Sequence, residues 1–598
     1  MSRKSALEAS ASALAQPDVV AAPVHAGQIA DALGDSASTE AIERLKRATQ
    51  HVKNVENAKL LSRAINAVHA HDFKLAQKLA LKLLKKDEML GLAWHILGIA
   101  SEKLGDYGSS LRAYDAALKL LADHGPVAGD LGRLAFRMNM PEFAVGFFAH
   151  FRLAQPDNIE ASNNLACALR ELNRESEAID VLKTAIADHP ESPALWNTLG
   201  TVVCNRGDAE GSIVFFDEAL RLEPAYSKAW HNRAFARSDM GDIEGALSDI
   251  DQALKRPDTA ADEAIMRFAR STMSLSLGRL AEGWKEYDAR FSSDLTEAPN
   301  FNIPGKPWTG EDLKGKSLMI CTEQGLGDEV MFANMLPDIL ELLGPDGSLT
   351  LAVERRLIPL FQRSFPNVEV TVHRTVKYEG RVYRAAPEIE DWSRFDYWSP
   401  LGAFLRQLRG SIDAFPKTAG YLKADPARVA HWKSELAKLG DAPKVGLLWK
   451  SLKLDAERAR QFSPFGAWRP VLETPGVSFV NLQYGDCEAE IAYAKSEFGV
   501  DIWQPPGIDL KQDLDDVTAL CASVDLIIGF SNATTNLAGA AGAPIWMLTA
   551  PAAWTLLGSD HYPWYPQARI FSPNSLANWN PAMDAVAQAL REMAARQG

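Results

Sequence analysis

Hydroxyl and amide side chains cluster at the start of one helix-like segment in the second half of the chain. The stretch GFSNATTN follows the apolar run VDLIIG and carries Ser531, Asn532, Thr534 and Thr535. Free backbone amides and the dipole at a helix N-terminus favour an anion, typically a phosphate. One such residue can simply cap the helix, but a cap needs only one, and four together favour a ligand.

Basic side chains follow a second apolar run, KVGLLW. They fall within the eleven residues from 450 to 460, at Lys450, Lys453, Arg458 and Arg460. Scattered basic residues are usually solvated, but a group this dense on an acidic chain can neutralise a diphosphate or a phosphodiester. The two loops together predict a phosphate-binding edge.

A third loop, QGLGD, follows the run SLMIC and ends in a carboxylate. Gly325 and Gly327 allow the backbone to approach a ligand closely. Asp328 is a candidate general base, and Glu323 is the alternative. Asp328 could instead cap the helix EVMFANMLPDIL, and one residue can do both. No metal-ligand triad is apparent in the sequence, so no metal site is expected.

Short β-rich runs that alternate with helical stretches must position these three loops. The runs span residues 317–321, 348–353, 368–372 and 395–399, then 444–449, 477–482, 500–503, 524–529 and 544–548. Such alternation predicts parallel sheets. We expect two doubly wound halves, 317–425 and 426–598, with a cleft between them and ligands at the carboxyl ends of the strands.

The first half of the chain repeats with a period of 34 residues. Trp196 and Trp230 are one period apart, and Trp94 lies three periods before Trp196. Small residues recur at this spacing at Ala76, Ser110, Ala144, Ala178, Ser212 and Ala246. Large residues follow four positions later, at Tyr114, Phe148, Leu182, Phe216 and Ile250. The pattern resembles the tetratricopeptide repeat and predicts an α-solenoid of about seven units over 57–292, with a groove for a peptide or protein.

Composition argues against several kinds of partner and site. A formal net charge of −14 argues against a nucleic-acid partner. Five cysteines without a CxxC pair favour a reducing cytoplasm over disulfides or zinc, and no apolar run is long enough to predict a membrane span. Residues 1–56 lack a long amphipathic pattern and are expected to form a disordered arm. The Gly-, Pro- and Lys-rich segment 293–316 reads as a linker.

Longer stretches resemble a known family. WTGEDLKGKSLMICTEQGLGDEVMFANMLP, FDYWSPLGAFLRQ, DDVTALCASVDLIIGFSNATTNLAGAAGAPIWML and HYPWYP are similar to bacterial proteins that join tetratricopeptide repeats to a glycosyltransferase. The catalytic half resembles the heptosyltransferase-like family of GT-B fold, and the layout resembles that of O-linked N-acetylglucosamine transferases. A narrower resemblance is to the flagellin-modifying glycosyltransferases of alphaproteobacteria, which are thought to place a nonulosonic acid such as pseudaminic acid on Ser or Thr.

The resemblance implies roles for the three loops. The family's acceptor-side loop falls on Gly325, Gly327 and Asp328, its basic donor contact on Lys450, and its donor-phosphate loop on 531–536. The family usually has Asp-Thr at Ser531 and Asn532, and His at Asn536 and Trp398. These departures imply a different donor nucleotide, and a CMP-linked sugar is compatible with them.

The sequence therefore predicts a cytoplasmic, metal-independent protein O-glycosyltransferase. Its co-substrate is expected to be a nucleotide-activated sugar, and its acceptor a protein, with flagellin as the first candidate. Two alternatives stay open: an adaptor whose GT-B half has become a scaffold, and a lipopolysaccharide glycosyltransferase. The long repeat region argues against the latter, because a saccharide acceptor needs no peptide groove.

Overall fold

The computed structural model describes residues 27–29, 34–50, 52, 55–295, 297–378, 381–451, 461–576 and 578–597. The chain divides into two compact units. One is Gln28–Ala236, and the other includes Arg237–Gly598. The predicted basic residues Lys453, Arg458 and Arg460 lie outside the described residues.

The first unit is a stack of antiparallel helix pairs. Its helices are α1 Thr39–Thr49, α2 Val55–His69, α3 Phe73–Leu84, α4 Gly91–Lys103, α5 Tyr107–Leu120, α6 Gly125–Arg137, α7 Pro141–Ala154, α8 Ile159–Glu171, α9 Glu175–Asp188, α10 Pro193–Asn205, α11 Ala209–Leu222 and, at the boundary, α12 Ser227–Asp239. The helices α13 Ile243–Ala253, α14 Ala260–Ser276 and α15 Leu280–Glu286 follow in the second unit. Among the described residues of the first unit, α2 to α11 form five consecutive pairs, which confirms a solenoid of repeats.

The 34-residue pattern works through contacts between small and large side chains. A Cβ built on Gly98 would meet the Tyr114 ring at 2.4 Å, and one on Gly200 would meet the Phe216 ring at 2.6 Å. A larger residue at either glycine would push the two helices of the pair apart. The indoles of Trp94, Trp196 and Trp230 each donate to the carbonyl oxygen six residues earlier, at 2.8–2.9 Å. The tryptophan thus fixes the entry into these three repeats.

The prediction of a disordered arm over 1–56 is wrong for part of that segment. Helix α1 begins at an N-cap, Ser38, whose hydroxyl accepts from the amide of Ala41 at 3.2 Å. Ile42 is fully buried and Leu45 nearly so, in one cluster with residues of α2 and α4. An amphipathic stretch of only eleven residues is too short to stand alone, but it becomes stable once its apolar face packs on a neighbour.

The predicted boundary at residue 292 also needs correction. Trp284 and Tyr287, at the end of the last repeat, are buried in the core of the second unit, with Tyr287 5.8 Å from Trp554 and 6.5 Å from Phe332. Aromatic side chains of this size dominate the core they enter. The last repeats therefore belong to the α/β unit, and the division falls near residue 236.

The second unit contains two parallel sheets and one small mixed sheet. Its strands are β1 Asn300–Phe301, β2 Ser317–Cys321, β3 Ser348–Val353, β4 Glu369–Val372, β5 Arg374–Tyr378, β6 Arg381–Ala385, β7 Tyr397–Pro400, β8 Lys444–Leu448, β9 Ser478–Asn481, β10 Ile502–Trp503, β11 Leu526–Phe530, β12 Ile545–Leu548 and β13 Ala568–Phe571. The strand orders are β4-β3-β2-β7, β10-β9-β8-β11-β12-β13 and β1-β6-β5.

Helices connect these strands and cover the sheets. They are α16 Leu326–Phe332, α17 Leu336–Leu343, α18 Ile358–Ser364, α19 Leu405–Leu408, α20 Pro426–Ala437, α21 Arg469–Leu472, α22 Glu488–Phe498, α23 Leu514–Cys521, α24 Ala533–Ala540 and α25 Asn580–Gln597. The predicted parallel sheets are confirmed, since all nine predicted runs contain a strand of one of the two parallel sheets. The prediction missed β1, β5, β6 and β13.

Candidate functional site

The loop QGLGD lies at the carboxyl end of β2 and opens α16. Gly325 is the N-cap residue, and its amide donates to Asp328 Oδ2 at 3.2 Å. The Gln324 backbone takes a left-handed φ of 60°, which turns the chain from the strand into the helix. Asp328 therefore performs the capping role that the sequence allowed. Asp328 as a whole residue is half-buried.

Three buried tyrosines lie close enough to Asp328 for its negative charge to affect their pKa values. Burial raises the pKa of Tyr287, Tyr562 and Tyr565, and the Asp328 carboxylate adds to each rise. Gln324 Nε2 donates to the Tyr287 hydroxyl at 3.2 Å.

Glu323, the alternative base, is fully buried in an ion pair. Arg290 Nη2 lies 2.5 Å from Glu323 Oε1, and the Arg290 guanidinium stacks on the Tyr287 ring at 3.9 Å. Burial raises the pKa of Glu323, although Arg290 opposes the rise. The pair joins the end of the last repeat to the strand end at β2, which is a structural role.

The loop after β2 and the helix after β11 touch each other. A Cβ built on Gly327 would lie 3.0 Å from Asn536 Nδ2 and 3.5 Å from the Ala533 amide nitrogen. A side chain at position 327 would separate α16 from α24. At this point the predicted cleft between the two halves is a packed junction, because small residues let the helix starts approach.

The side chains of the GFSNATTN loop divide into capping and buried groups. Asn532 Oδ1 accepts from the Thr535 amide at 3.1 Å, and Thr535 Oγ1 accepts from the Asn532 amide at 2.8 Å. This reciprocal pair is a capping box, so two of the predicted anion ligands instead accept hydrogen bonds from backbone amides at the start of α24. Thr534 is buried.

The two remaining positions of the loop face the tyrosines. Ser531 is exposed, with its hydroxyl 3.5 Å from the Tyr562 hydroxyl. Asn536 is buried, and its Oδ1 accepts from the Tyr565 hydroxyl at 2.8 Å. The structure therefore brings Ser531, Asn536 and the Asp328 region together around Tyr562 and Tyr565.

Lys450, the predicted basic donor contact, already has an ion-pair partner. Its ammonium forms an ion pair with Glu490 on α22. Gln483 Oε1 accepts from the amides of Trp449 and Lys450 at 3.0 and 2.9 Å. Gln483 orients this strand end, and the sequence analysis missed it because a lone glutamine after a strand carries no recognisable pattern.

A buried network behind the QGLGD loop was also missed. Glu329 accepts from Thr322 Oγ1 at 2.7 Å and from the Glu354 amide at 3.0 Å, and His373 Nε2 lies 2.8 Å from its Oε1. Burial opposes ionisation, yet His373 lowers the pKa of Glu329. Arg384 adds a bond to the Thr322 carbonyl oxygen at 2.7 Å. The network makes the loop rigid.

Within the part of the chain that the structure describes, no group of three His, Cys, Asp or Glu residues is arranged to hold a metal ion. Over the same residues, no helix is both long enough and apolar enough to cross a membrane.

The repeats and the two parallel sheets define the class: a tetratricopeptide-repeat protein with a C-terminal α/β unit. The family model for the tetratricopeptide repeat matches residues 163–227. The chain is 69% identical over 595 residues to the protein FlbA of Caulobacter vibrioides, and the match covers 100% of both chains. The chain therefore belongs to the FlbA family.

Other similarities are partial. The chain is 26% identical over 118 residues to the heat-shock protein cognate co-chaperone sgt12 of Aspergillus fumigatus, which is 20% of this chain and 34% of that one. Among solved structures, the type IV pilus biogenesis factor PilW has a TM-score of 0.31 and 18% identity over 34% of this chain and 96% of its own. A repeat protein from Parabacteroides merdae has a TM-score of 0.35 and 16% identity, covering 39% and 92%.

Proposed function

We propose that this protein is a glycosyltransferase of GT-B type that modifies Ser or Thr of an acceptor protein. The repeats recruit the acceptor, and the α/β unit holds a nucleotide-activated sugar. The observation that carries the proposal is the junction of α16 and α24, where Gly327 lies against Ala533 and Asn536. A candidate base, Asp328, thereby stands beside a helix N-terminus suited to a phosphate.

In the proposed reaction, the acceptor hydroxyl oxygen forms a bond to the anomeric carbon of the sugar. The bond from that carbon to the phosphate oxygen breaks, and the nucleotide leaves with the electron pair. Asp328 takes the hydroxyl proton, and backbone amides at the start of α24 stabilise the charge on the leaving phosphate. In this proposal Ser531 and Asn536 contact the donor.

The partners and the location follow from the same resemblance and from composition. We propose flagellin as the acceptor, a nonulosonic acid such as pseudaminic acid as the sugar, a CMP-linked donor and a cytoplasmic location. Membership of the FlbA family is consistent with a flagellar role. The repeats favour a protein acceptor over lipopolysaccharide.

A second candidate function has its own support. Asn532 and Thr535 are occupied in a capping box, and Lys450 is paired with Glu490, so three of the expected donor ligands already have partners. A non-catalytic adaptor would need none of them for a sugar nucleotide. If the protein is an adaptor, the purified protein should bind its acceptor and no nucleotide-sugar.

The deciding experiment compares flagellin from a deletion strain with flagellin from the parent by intact-mass spectrometry. Loss of a mass increment from flagellin, restored by the parent gene and not by an Asp328→Asn variant, supports transfer by this protein. Titration calorimetry with CMP-linked and UDP-linked sugars then separates the candidates. Unchanged flagellin mass, with acceptor binding but no nucleotide binding, identifies the adaptor.

A further inference from the structure

Buried amide and hydroxyl side chains link the first helices of neighbouring repeats in the first unit. Thr198 Oγ1 donates to Asn163 Oδ1 at 2.7 Å, and Asn232 Nδ2 donates to Asn197 Oδ1 at 3.2 Å. Each bond joins residues 35 positions apart, and all four side chains are almost completely buried. Buried polar groups are costly unless paired, so this row needs polar partners along its whole length.

Asn232 finds its further partner in the main chain of the N-terminal segment. The Ile29 amide donates to Asn232 Oδ1 at 2.9 Å, and Asn232 Nδ2 donates to the Ile29 carbonyl oxygen at 3.3 Å. Both bonds are made to main-chain atoms of Ile29, so they do not depend on the side chain at that position. Main-chain pairing of this kind gives affinity for a polypeptide regardless of its sequence.

Two more contacts place the same segment along the repeats. Gly34 lies against Glu160 of α8 with φ +87°, and a Cβ at Gly34 would be 2.3 Å from Glu160 Oε1. The Asp35 carboxylate is 2.7 Å from Lys103 Nζ of α4. Together with Asn232 of α12, the contacted residues lie on the first helices of three repeats. First helices of stacked repeats share one face of a solenoid, the surface on which such proteins bind ligands.

We propose that residues 28–29 and 34–49 are an internal occupant of this face, and that a partner polypeptide binds there by displacing them. The partner is an extended protein segment whose backbone pairs with Asn232 as Ile29 does. The occupant thus makes partner binding competitive with the chain's own N-terminal segment. This inference does not depend on transferase activity.

The test uses a fluorescein-labelled synthetic peptide of residues 27–50 and measures its binding by fluorescence anisotropy. In the full chain the tethered segment acts at an effective concentration of about 1 mM. For a peptide Kd of about 10 μM, the tethered copy weakens binding of the free peptide about 100-fold. The full-length variant Gly34→Val should remove this competition, because valine is strained at positive φ and meets Glu160.

The matched control is Gly207→Val, since Gly207 also has a positive φ of 96° but a Cβ built on it meets nothing within 4 Å. This control should bind the peptide as weakly as the parent does. Adding Asn232→Ala to Gly34→Val should weaken peptide binding about tenfold, through loss of two main-chain bonds. Lys183→Ala, on the exposed side of α9, should leave it unchanged.

Equal peptide affinity of the parent and Gly34→Val would overturn the proposal. Insensitivity of binding to Asn232→Ala would also overturn it. If Gly34→Val does not fold by circular dichroism, a variant lacking residues 1–50 replaces it, with the same expected gain in affinity. A folded deletion variant that does not bind the peptide refutes the internal-occupant model.

Discussion

Replacing Asp328 with asparagine separates catalysis from helix capping. The structure shows a bond from the amide of Gly325, the N-cap of α16, to Oδ2 of Asp328, at position N3, at 3.2 Å. Asparagine keeps a side-chain oxygen that can accept this bond. It cannot accept the proton of an acceptor hydroxyl. Loss of a general base costs about 10²–10⁴ in rate.

The assay is single-turnover sugar transfer to purified flagellin from a CMP-linked nonulosonic acid, followed by intact-mass spectrometry. We expect Asp328→Asn to bind donor and acceptor with parental affinity and to transfer sugar at least 100-fold more slowly. Asp328→Ala should also lose the bond to the Gly325 amide, which contributes about 1 kcal/mol, or at most about 4 °C in Tm.

The matched control is Asp425, the N-cap of α20, whose Oδ1 accepts from the amides of Ala427 and Arg428 at 2.8 and 3.0 Å. Asp425→Ala should show a similar loss of Tm with parental transfer. Transfer by Asp328→Asn within about tenfold of the parent would refute the role of Asp328 as the base, because a lost proton acceptor costs more than that.

The remaining predictions concern ionic side chains and their partners. Arg290→Met should destabilise the α/β unit by about 3–5 kcal/mol in denaturant titrations, because it leaves Glu323 buried without its cation; an unchanged midpoint would contradict this. Lys450→Ala should weaken nucleotide-sugar binding about 10- to 150-fold by calorimetry if Lys450 leaves Glu490 for the donor, and a parental Kd would leave it as a structural ion pair. The last prediction concerns the Asp130 carboxyl. Its burial acts to raise its pKa, but the Arg133 and His95 side chains lower that pKa to about 2. Its stabilising contribution should therefore be fully present above about pH 4 and disappear as the pH falls through about 2. Thermal melts of the parent and Asp130→Asn should differ at pH 7 and converge in this acid range, and a constant difference would contradict the linkage.

Sequence patterns alone predicted the repeats and nine of the ten strands of the two parallel sheets, β13 being the exception. The 34-residue pattern specifies contacts such as Gly98 on Tyr114, which are local in sequence and require little knowledge of the rest of the fold. Each of the nine β-rich runs likewise marked a strand. Central strands such as β8 and β11 are buried along their whole length, and such strands need continuous apolar sequence. The positions of the three candidate site loops follow as well, because each loop begins where a predicted strand ends.

Only the tertiary structure decided which of those loop residues are available. Glu323 and Lys450 looked like free charges in the sequence, but each has an ion-pair partner at least 33 positions away in the chain. For the same reason, the sequence analysis missed helix α1 and did not assign the last repeat to the α/β unit. Their order comes from apolar faces that meet surfaces distant in sequence, as at Ile42 and Trp284. Local patterns record what a segment needs to bury, whereas the identity of the surface that buries it is settled only when the chain is folded.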